Sequence, residues 1–273
     1  MRNSGWDSSL QYDQKIGQVN FSAMGNFTFA RNVIEDQDQP DYIEKYMNRT
    51  GQARWQTFGY VSDGLFKDEA DIATSPDQSA LGEVRPGDIK YKDLNNDGVI
   101  DSKDVKAIGY TDVPEIVYGF GVSAQWKGFD VSVFFQGNAH VSFSINSSMV
   151  RGFTEPKMAA NNVFSDIYGN YWTESNTDAK YPRLTTTEAT NNNQSSDFWL
   201  VNGRYIRLKN AEFGYTFPKR LIQKMRLSQL RVFVSGTNLL TFAPFKLWDP
   251  DLQTGASNYP NTRVANIGLN IGF

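Results

Sequence analysis

Apolar and polar side chains alternate along residues 129–143. The eight odd positions of this segment hold apolar residues or glycine, whereas six of the seven even positions are polar. Successive side chains of a β-strand point to opposite faces, so the pattern predicts a strand with one apolar and one polar face. Its length exceeds the average strand of about 5–6 residues and suffices for the roughly 9–11 residues that cross a bilayer. The segment is therefore predicted to be a transmembrane strand.

The same alternation recurs along the chain and predicts seven spanning strands. In the fifth, the apolar positions change parity near Asn210, which predicts a β-bulge. The seven strands cover residues 5–13, 18–30, 116–127, 129–144, 198–217, 228–241 and 263–273. In the fourth, lipid is expected to contact Val131, Val133, Phe135 and Val141, and the opposite, lumenal face is expected to hold Ser132, Gln136, Asn138 and His140.

Short and long connections alternate strictly between these strands. The short ones are residues 14–17, 127–128 and 218–227, and the long ones are residues 31–115, 145–197 and 242–262. Outer-membrane barrels have this asymmetry, with brief turns on one rim and long external loops on the other. The three long connections are therefore predicted to be external loops, and loops of this size usually serve recognition.

The number of strands bears on the extent of the domain. Seven is odd, whereas bacterial single-chain barrels close with an even number of strands, and the N-terminus lacks the apolar core of a secretory signal. We therefore expect an all-β chain forming the C-terminal part of a large transmembrane β-barrel, residues 1–273, with long extracellular loops. Preceding sequence would supply the remaining strands.

Composition shortens the range of functions. The net charge of −3 gives no basic surface for nucleic acid, and the absence of cysteine excludes thiol catalysis and disulfides. A single histidine, His140, cannot supply a histidine-rich metal site, and a hydrogen-bonded role in the lumen is the simpler interpretation of it. Acidic residues are common, but no carboxylate pair stands out by its spacing. The chain is therefore not expected to be an enzyme.

Residues 93–104 have the spacing of a calcium-binding loop. Gly98 would make the sharp turn, and Asp104 stands where a longer glutamate is usual. The predicted ligands are Asp93, Asn95, Asp97, Val99 through its carbonyl, Asp101 and Asp104. A bound calcium or magnesium ion would have a structural role, because a filled loop leaves no open position for substrate. The alternative is an external turn, rich in asparagine and aspartate, whose carboxylates are solvated.

Aromatic side chains are frequent in the second long loop. They are candidates for stacking against a ligand or for the centre of a partner interface, and they also suit the packing of a long loop. The candidate residues are Tyr168, Tyr171, Trp172 and Tyr181, with Trp199 at the exit of the loop.

Several strings resemble signatures of one family, the SusC/RagA TonB-linked outer-membrane transporters of Bacteroidetes-type bacteria. They occur in order along essentially the whole chain, which ends on a phenylalanine typical of outer-membrane barrels. The strings are PGDIKYKDLNNDGVID (86–101), YGFG (118–121), KGFD (127–130), FFQG (134–137), YWT (171–173), YPRL (181–184), GRYIRLKN (203–210), GTNLL (236–240) and GLNIGF (268–273).

The resemblance implies a TonB-dependent importer in the outer membrane of a Gram-negative cell. Such a transporter has an N-terminal plug, which this chain lacks, and it engages the TonB complex through its N-terminal part. An external SusD-like lipoprotein covers the barrel and captures oligosaccharides or peptides. The long loops, chiefly 31–115 and 145–197, are then expected to form the docking face for that lipoprotein. The matched strings identify the transporter and leave its substrate open.

Two other functions are compatible with parts of the sequence. A secreted, calcium-stabilised β-sandwich that binds carbohydrate would share the strands and the calcium-type loop, but it should be soluble without detergent. A glycoside hydrolase fragment would require a catalytic carboxylate pair, which the sequence does not reveal.

Overall fold

A computed structural model describes residues 1–151, 153, 163–255 and 258–273 of the chain. Residues 152, 154–162 and 256–257, which belong to the predicted second and third long loops, lie outside the described residues. The α-helices and β-strands are, in chain order, β1 (Arg2–Ile16), β2 (Val19–Val33), β3 (Phe58–Gly59), β4 (Ser62–Leu65), α1 (Glu69–Thr74), β5 (Ile89–Tyr91), β6 (Lys106–Ala107), β7 (Ile116–Trp126), β8 (Phe129–Ala139), β9 (Ser142–Ser144), α2 (Ser148–Arg151), β10 (Leu200–Asn202), β11 (Tyr205–Thr216), α3 (Lys219–Ile222), β12 (Gln229–Phe242) and β13 (Val264–Gly272). Among these described segments, no helix has both the length and the apolar character needed to cross a membrane.

Seven long strands form one antiparallel sheet over the described residues. The strand order is β1-β2-β7-β8-β11-β12-β13, and the strands are 9 to 15 residues long. The short strands pair separately, as β3 with β6, β4 with β5 and β9 with β10. This arrangement confirms the predicted fold class. A β-sandwich would divide the long strands between two packed sheets, so that alternative is wrong.

The turns on one rim are short, as predicted. Lys127 and Gly128 alone join β7 to β8, and both have positive φ angles, 49° and 90°. Two-residue hairpins favour this backbone because its twist matches that of the flanking strands. A Cβ atom at Gly128 would lie 2.5 Å from the Thr216 carbonyl oxygen on β11, so glycine also permits this close approach.

The predicted bulge near Asn210 is confirmed. The register of β11 against both β8 and β12 shifts between Leu208 and Asn210. The extra residue, Lys209, changes which parity points to each face. Leu208 and Phe213 therefore lie on the same face of the sheet despite their odd separation.

One face of the sheet is apolar and stays exposed in this chain. The register aligns Ala124, Val131, Phe213 and Val234 in one row across four strands. Exposed members of this apolar face include Phe120 (45%), Val122 (44%), Val131 (44%), Phe213 (50%) and Val234 (47%). The opposite, polar face includes Asp130, Ser132, Gln136 and Asn138 of β8. So large an apolar surface is characteristic of a contact with lipid or protein.

Two predicted strands are broken where they leave the sheet. The fourth was expected to run over residues 129–144, but β8 ends at Ala139, and His140 adopts a φ of 52°. Beyond this point Val141 is only 1% exposed, so it packs inside the protein and the prediction that it faces lipid is wrong. The fifth, predicted over residues 198–217, is interrupted between β10 and β11, where the Gly203 N–H donates to the Val141 carbonyl. Beyond the two breaks the segments leave the seven-stranded sheet and pair with each other, as β9 with β10.

The buried core lies outside the seven-stranded sheet. All three long connections contribute to it, and we call their described residues between 34 and 115, 140 and 204, and 243 and 263 the loop body. The core residues are Tyr60, Leu65, Leu81, Ile89, Tyr91, Ile100, Phe143, Ile145, Val150, Ile167, Tyr181, Trp199 and Phe245. The long loops are therefore folded against one another rather than extended separately.

Candidate functional site

A buried carboxylate joins the first long loop to the second. Asp88 is fully buried, and its Oδ2 accepts from the backbone N–H of Arg85 at 2.9 Å. From the second loop, Arg183 Nε lies 2.8 Å from Asp88 Oδ1, and Asn192 Nδ2 donates to the same oxygen at 2.8 Å. A buried charge is tolerated when it is both paired and hydrogen-bonded, as here.

Buried amide side chains extend this contact between the first and second long loops, which we call the joint. Gln78 Nε2 donates to Asn191 Oδ1 at 2.7 Å, and Gln78 Oε1 accepts the Tyr91 backbone N–H at 3.0 Å. The Tyr91 hydroxyl donates to the Asn191 carbonyl at 2.9 Å, and burial raises the pKa of Tyr91. Sequence reasoning missed these residues, because no spacing rule connects residues 78–91 with residues 183–192. The network fixes the two loops as one unit.

Arg207 attaches the third long loop to the sheet. It is 1% exposed and stands opposite Gln136 on the polar face. Its Nη1 donates to Asp251 at 2.7 Å, its Nη2 bonds Asp249, and its Nε donates to the Thr241 hydroxyl at 3.0 Å. The loop therefore folds over the polar face at the end of β11.

A second charge cluster lies near the short-turn rim of the polar face. Arg231 Nε donates to Asp130 at 3.1 Å, and its Nη2 donates to Glu212 at 2.6 Å. Three neighbouring strands, β8, β11 and β12, contribute one charged side chain each. The polar face thus carries paired charges at both of its ends.

His140 is hydrogen-bonded, as the sequence indicated, at the end of β8. Its Nδ1 lies 3.1 Å from Glu115 Oε2, and its ring stacks on Tyr110 with 4.6 Å between centroids. Glu115 also accepts two hydrogen bonds from Arg31, both 2.7 Å long. The Arg31 hydrogen bond is the largest cause of a lowered pKa at Glu115. The cluster ties β2 and the connections beside β7 and β8 together.

The calcium-type loop closes around its first acidic residue. Asp93 accepts the backbone N–H groups of Asn96 at 2.6 Å and Gly98 at 2.7 Å, and Gly98 has a φ of 86°. Asp104 is fully buried and accepts the backbone N–H groups of Leu94 and Asp101. The first and last predicted ligands therefore already satisfy backbone donors.

Lys103 occupies the space between two further predicted ligands. Its Nζ lies 3.1 Å from Asp97 and 3.4 Å from Asp101. Hydrogen bonds from Asn95, from the backbone N–H of Val99 and from Lys103 lower the pKa of Asp97, and the pKa of Lys103 is raised in return. Within the described residues, no group of three or more acidic or histidine side chains is arranged to hold a metal ion. This arrangement does not fit calcium as it stands, and calcium binding stays a prediction that requires Lys103 to move.

The aromatic candidates of the second loop separate by burial. Tyr181 and Trp199 belong to the core of the loop body, at 4% and 1% exposure, and Tyr171 and Trp172 pack partly buried against it. Tyr168 is 76% exposed. Packing thus accounts for most of these rings, and Tyr168 has the open surface that a ligand or partner needs.

A cavity of about 320 Å³ opens where the second and third long loops meet. It is large enough for one or two residues of an oligomeric ligand. Its walls are both apolar and charged, formed by Ile145, Asp166, Lys180, Tyr181, Phe198, Val201, Asn202, Pro244, Phe245, Lys246 and Leu247. A concave apolar surface with a few polar groups is typical of ligand sites.

The curated proteins that this chain is similar to are TonB-dependent receptors. No family model matches the chain. It is 27% identical to TonB-dependent receptor P3 of Formosa agariphila over 303 residues, covering 100% of this chain and 29% of that protein. It is 26% identical to TonB-dependent receptor P26 of the same organism over 306 residues, with the same coverage of 100% and 29%. The chain thus spans less than a third of these curated relatives.

Solved structures support the fold. The RagAB peptide transporter is similar with a TM-score of 0.71 at 20% sequence identity, over 99% of this chain and 29% of that one. The RagAB peptide importer in an open-open state gives a TM-score of 0.70 at 21% identity, over 99% and 28%. At these identities the likeness establishes the fold alone.

Proposed function

We propose that this chain is part of a SusC/RagA-like TonB-dependent receptor, because its similarity to such proteins extends along its whole length. It would form part of the wall and of the external face of an outer-membrane importer. The observation that carries the proposal is the single seven-stranded sheet, which has one exposed apolar face and long loops on one rim. TonB would supply the energy through parts of the protein outside this chain. The transported substrate would be an oligosaccharide or a peptide.

The sheet suits a barrel wall in the outer membrane. Strands of 9 to 15 residues are long enough to cross a bilayer at a tilt. The apolar face would contact lipid, and the polar face with Arg207 and Arg231 would line the lumen. Over the described residues, β1 and β13 each pair on one side only. In lipid both edges must be hydrogen-bonded, so further strands would complete the barrel.

The loop body suits recognition of substrate and partner. Its buried joint at Asp88 makes it a preformed surface rather than a set of separate loops. Large apolar side chains are nevertheless exposed on it, including Ile43 (94%), Trp55 (57%), Tyr168 (76%) and Tyr259 (83%). Apolar and aromatic side chains are the usual anchors of protein interfaces. A SusD/RagB-like surface lipoprotein is the proposed partner on this face.

Uptake measurements test the proposed transport. Deletion of the gene for the intact receptor should abolish growth on one class of oligosaccharide or peptide supplied as sole nutrient, and the wild-type gene should restore it. Unchanged uptake of every oligosaccharide and peptide that the parent strain uses would contradict the proposal. The growth defect also identifies which of the two substrate classes is transported.

Co-purification tests the proposed partner. Replacing both Trp55 and Tyr168 with aspartate in the intact receptor should reduce recovery of the lipoprotein, because a charge would be buried at the interface. The control is a double variant of two exposed lysines, Lys45→Gln with Lys92→Gln. Phe120→Asp is unsuitable as a control because it would disturb the face that contacts lipid. Equal recovery with both double variants would show that the lipoprotein docks elsewhere.

A further inference from the structure

The cavity between the second and third long loops has a basic rim. Lys180 and Lys246 both line it and both are exposed. Over the described part of the chain, neither ammonium group takes part in a salt bridge, although Asp166 also lines the cavity. The Lys180 Nζ instead lies 5.2 Å from the centroid of the Tyr181 ring. Two positive charges are therefore available to a ligand at this position.

The floor of the same cavity is apolar and held in place. Ile145, Tyr181 and Phe245 are buried members of the loop-body core, at 6%, 4% and 8% exposure. Phe245 packs edge-on against Phe143, with 5.1 Å between ring centroids. A floor built from core residues does not have to be ordered when a ligand binds, which lowers the entropic cost of binding.

Two other cavities of the loop body differ from it in charge or size. A cavity of about 430 Å³ is lined by Asp77 and Glu83, and no lysine or arginine stands among its described lining residues. A crevice between Arg151 and Arg183 has only about 20 Å³, room for about one water molecule. Only the cavity with Lys180 and Lys246 combines basic groups, an apolar floor and adequate volume among these three.

We infer that this cavity binds an acidic unit of an extracellular oligomer, with the carboxylate or sulfate group on Lys180 and Lys246 and the apolar side of the unit on Phe198 and Leu247. The inference rests on the proposed function and narrows its substrate class to anionic oligomers. Charge-assisted hydrogen bonds from ammonium groups recognise such anions strongly. An acidic oligosaccharide and an acidic peptide share this chemistry, so experiment has to distinguish them.

Binding to the intact receptor in detergent, measured by calorimetry, tests the inference. Four probes separate the effect of the ligand's charge from the choice between oligosaccharide and peptide. They are tetragalacturonate with its neutral counterpart maltotetraose, and the peptide Glu-Phe-Glu-Phe with its neutral counterpart Gln-Phe-Gln-Phe. One anionic probe should bind at least about tenfold more tightly than its neutral counterpart. Raising the salt concentration should weaken that binding, since exposed charges are screened. Equal affinity within both pairs, or no binding of any probe at millimolar concentration, would overturn the inference.

Substitutions on the rim assign the effect to the cavity. The double variant Lys180→Gln with Lys246→Gln should lower affinity for the anionic probe about tenfold or more and leave the neutral probe unchanged. Asp166→Asn should act in the opposite direction and tighten anion binding, because it removes the one negative charge from the described rim. Lys45→Gln, an exposed lysine of the first loop outside the cavity, is the matched control. An equal loss with Lys45→Gln would show that the charge effect is non-specific and would overturn the inference.

Uptake measurements on two strains distinguish a failure of this inference from a failure of the proposed function. A receptor with both rim lysines replaced that still imports its nutrient at the wild-type rate and affinity would overturn the anion site and leave the importer standing. Unchanged uptake after deletion of the whole gene would contradict the importer itself.

Discussion

Arg207 Nη1 donates to Asp251 Oδ2 at 2.7 Å, which connects a strand of the sheet to the third long loop. The Arg207 side chain is 2% exposed, and Asp249 and Asp251 are 15% and 29% exposed. Asp249 also caps the short 3₁₀-helix Pro250–Leu252 by accepting the Asp251 backbone N–H. One arginine therefore contacts both the loop and the carboxylate that caps its short helix.

Arg207→Met should release the third loop while the sheet remains paired. The variant leaves two carboxylates near the polar face without their counter-charge, and breaking a buried pair typically costs about 3–5 kcal/mol. Because both acids keep some exposure, we expect the lower end of that range. Hydrogen exchange of the intact receptor should rise in residues 245–255 and stay unchanged in β7 and β8. Arg204→Met, at an exposed arginine of the adjoining turn, should leave exchange unaltered; equal exchange in the two variants would contradict the role of Arg207.

Asp88→Asn should loosen the joint between the first two loops. The change leaves the Arg183 guanidinium half-buried without its carboxylate, and we expect a loss of roughly 2–4 kcal/mol in the stability of the loop body. Pulse proteolysis of the intact receptor in urea measures this loss. The control is Asp63→Asn, because Asp63 pairs with Lys92 at 3.5 Å while both are 50% exposed, and such surface pairs contribute about 0–1 kcal/mol. Similar losses for both variants would show that Asp88 is not a special contact.

The strands were predictable from the sequence because their signal is local. Alternation located five of the seven long strands to within three residues at both ends, and the parity change near Asn210 located the bulge. The fourth strand was predicted five residues too long at its end, and the fifth seven residues too long at its start. The breaks at His140 and Gly203 were not predictable in the same way. Alternation continues past the break at His140 through Val141 and Phe143, but there the apolar side chains face the core of the loop body instead of lipid.

The loop body was beyond local patterns because its contacts join residues distant in sequence. Asp88 meets Arg183 across 95 residues, and Gln78 meets Asn191 across 113. No periodicity relates such positions. For the aromatic candidates the sequence left both packing and ligand contact open, and burial separates Tyr181 from Tyr168. In the calcium-type loop the ligand spacing was readable, but the position of the Lys103 ammonium depends on the folded turn.

Calcium binding to residues 93–104 should be limited by Lys103. A calcium ion between Asp97 and Asp101 has to displace an ammonium group 3.1 Å and 3.4 Å from their carboxylates. Lys103→Gln should therefore raise calcium affinity of the chelator-treated intact receptor by about tenfold, equivalent to about 1.4 kcal/mol. Lys92→Gln should not change affinity, and Asp97→Ala should abolish binding. If calorimetry shows no calcium binding in wild type or in Lys103→Gln, the loop is a solvated turn and the calcium prediction is wrong.

Cysteine labelling should place the apolar face in lipid and follow the bulge along β11. The chain contains no native cysteine, so each introduced thiol is unique within it. A nitroxide lipid should broaden spin labels at positions 131 and 133 in β8 and leave a label at 132 sharp. In β11 it should broaden labels at 208 and 213, whose odd separation requires the extra residue at the register shift between Leu208 and Asn210. A sharp label at 213 beside a broadened one at 208 would contradict the bulge, and broadening at 132 instead of 131 would reverse the two faces. A label at 141 provides the last test: it should stay sharp, because Val141 packs in the loop body and not against lipid.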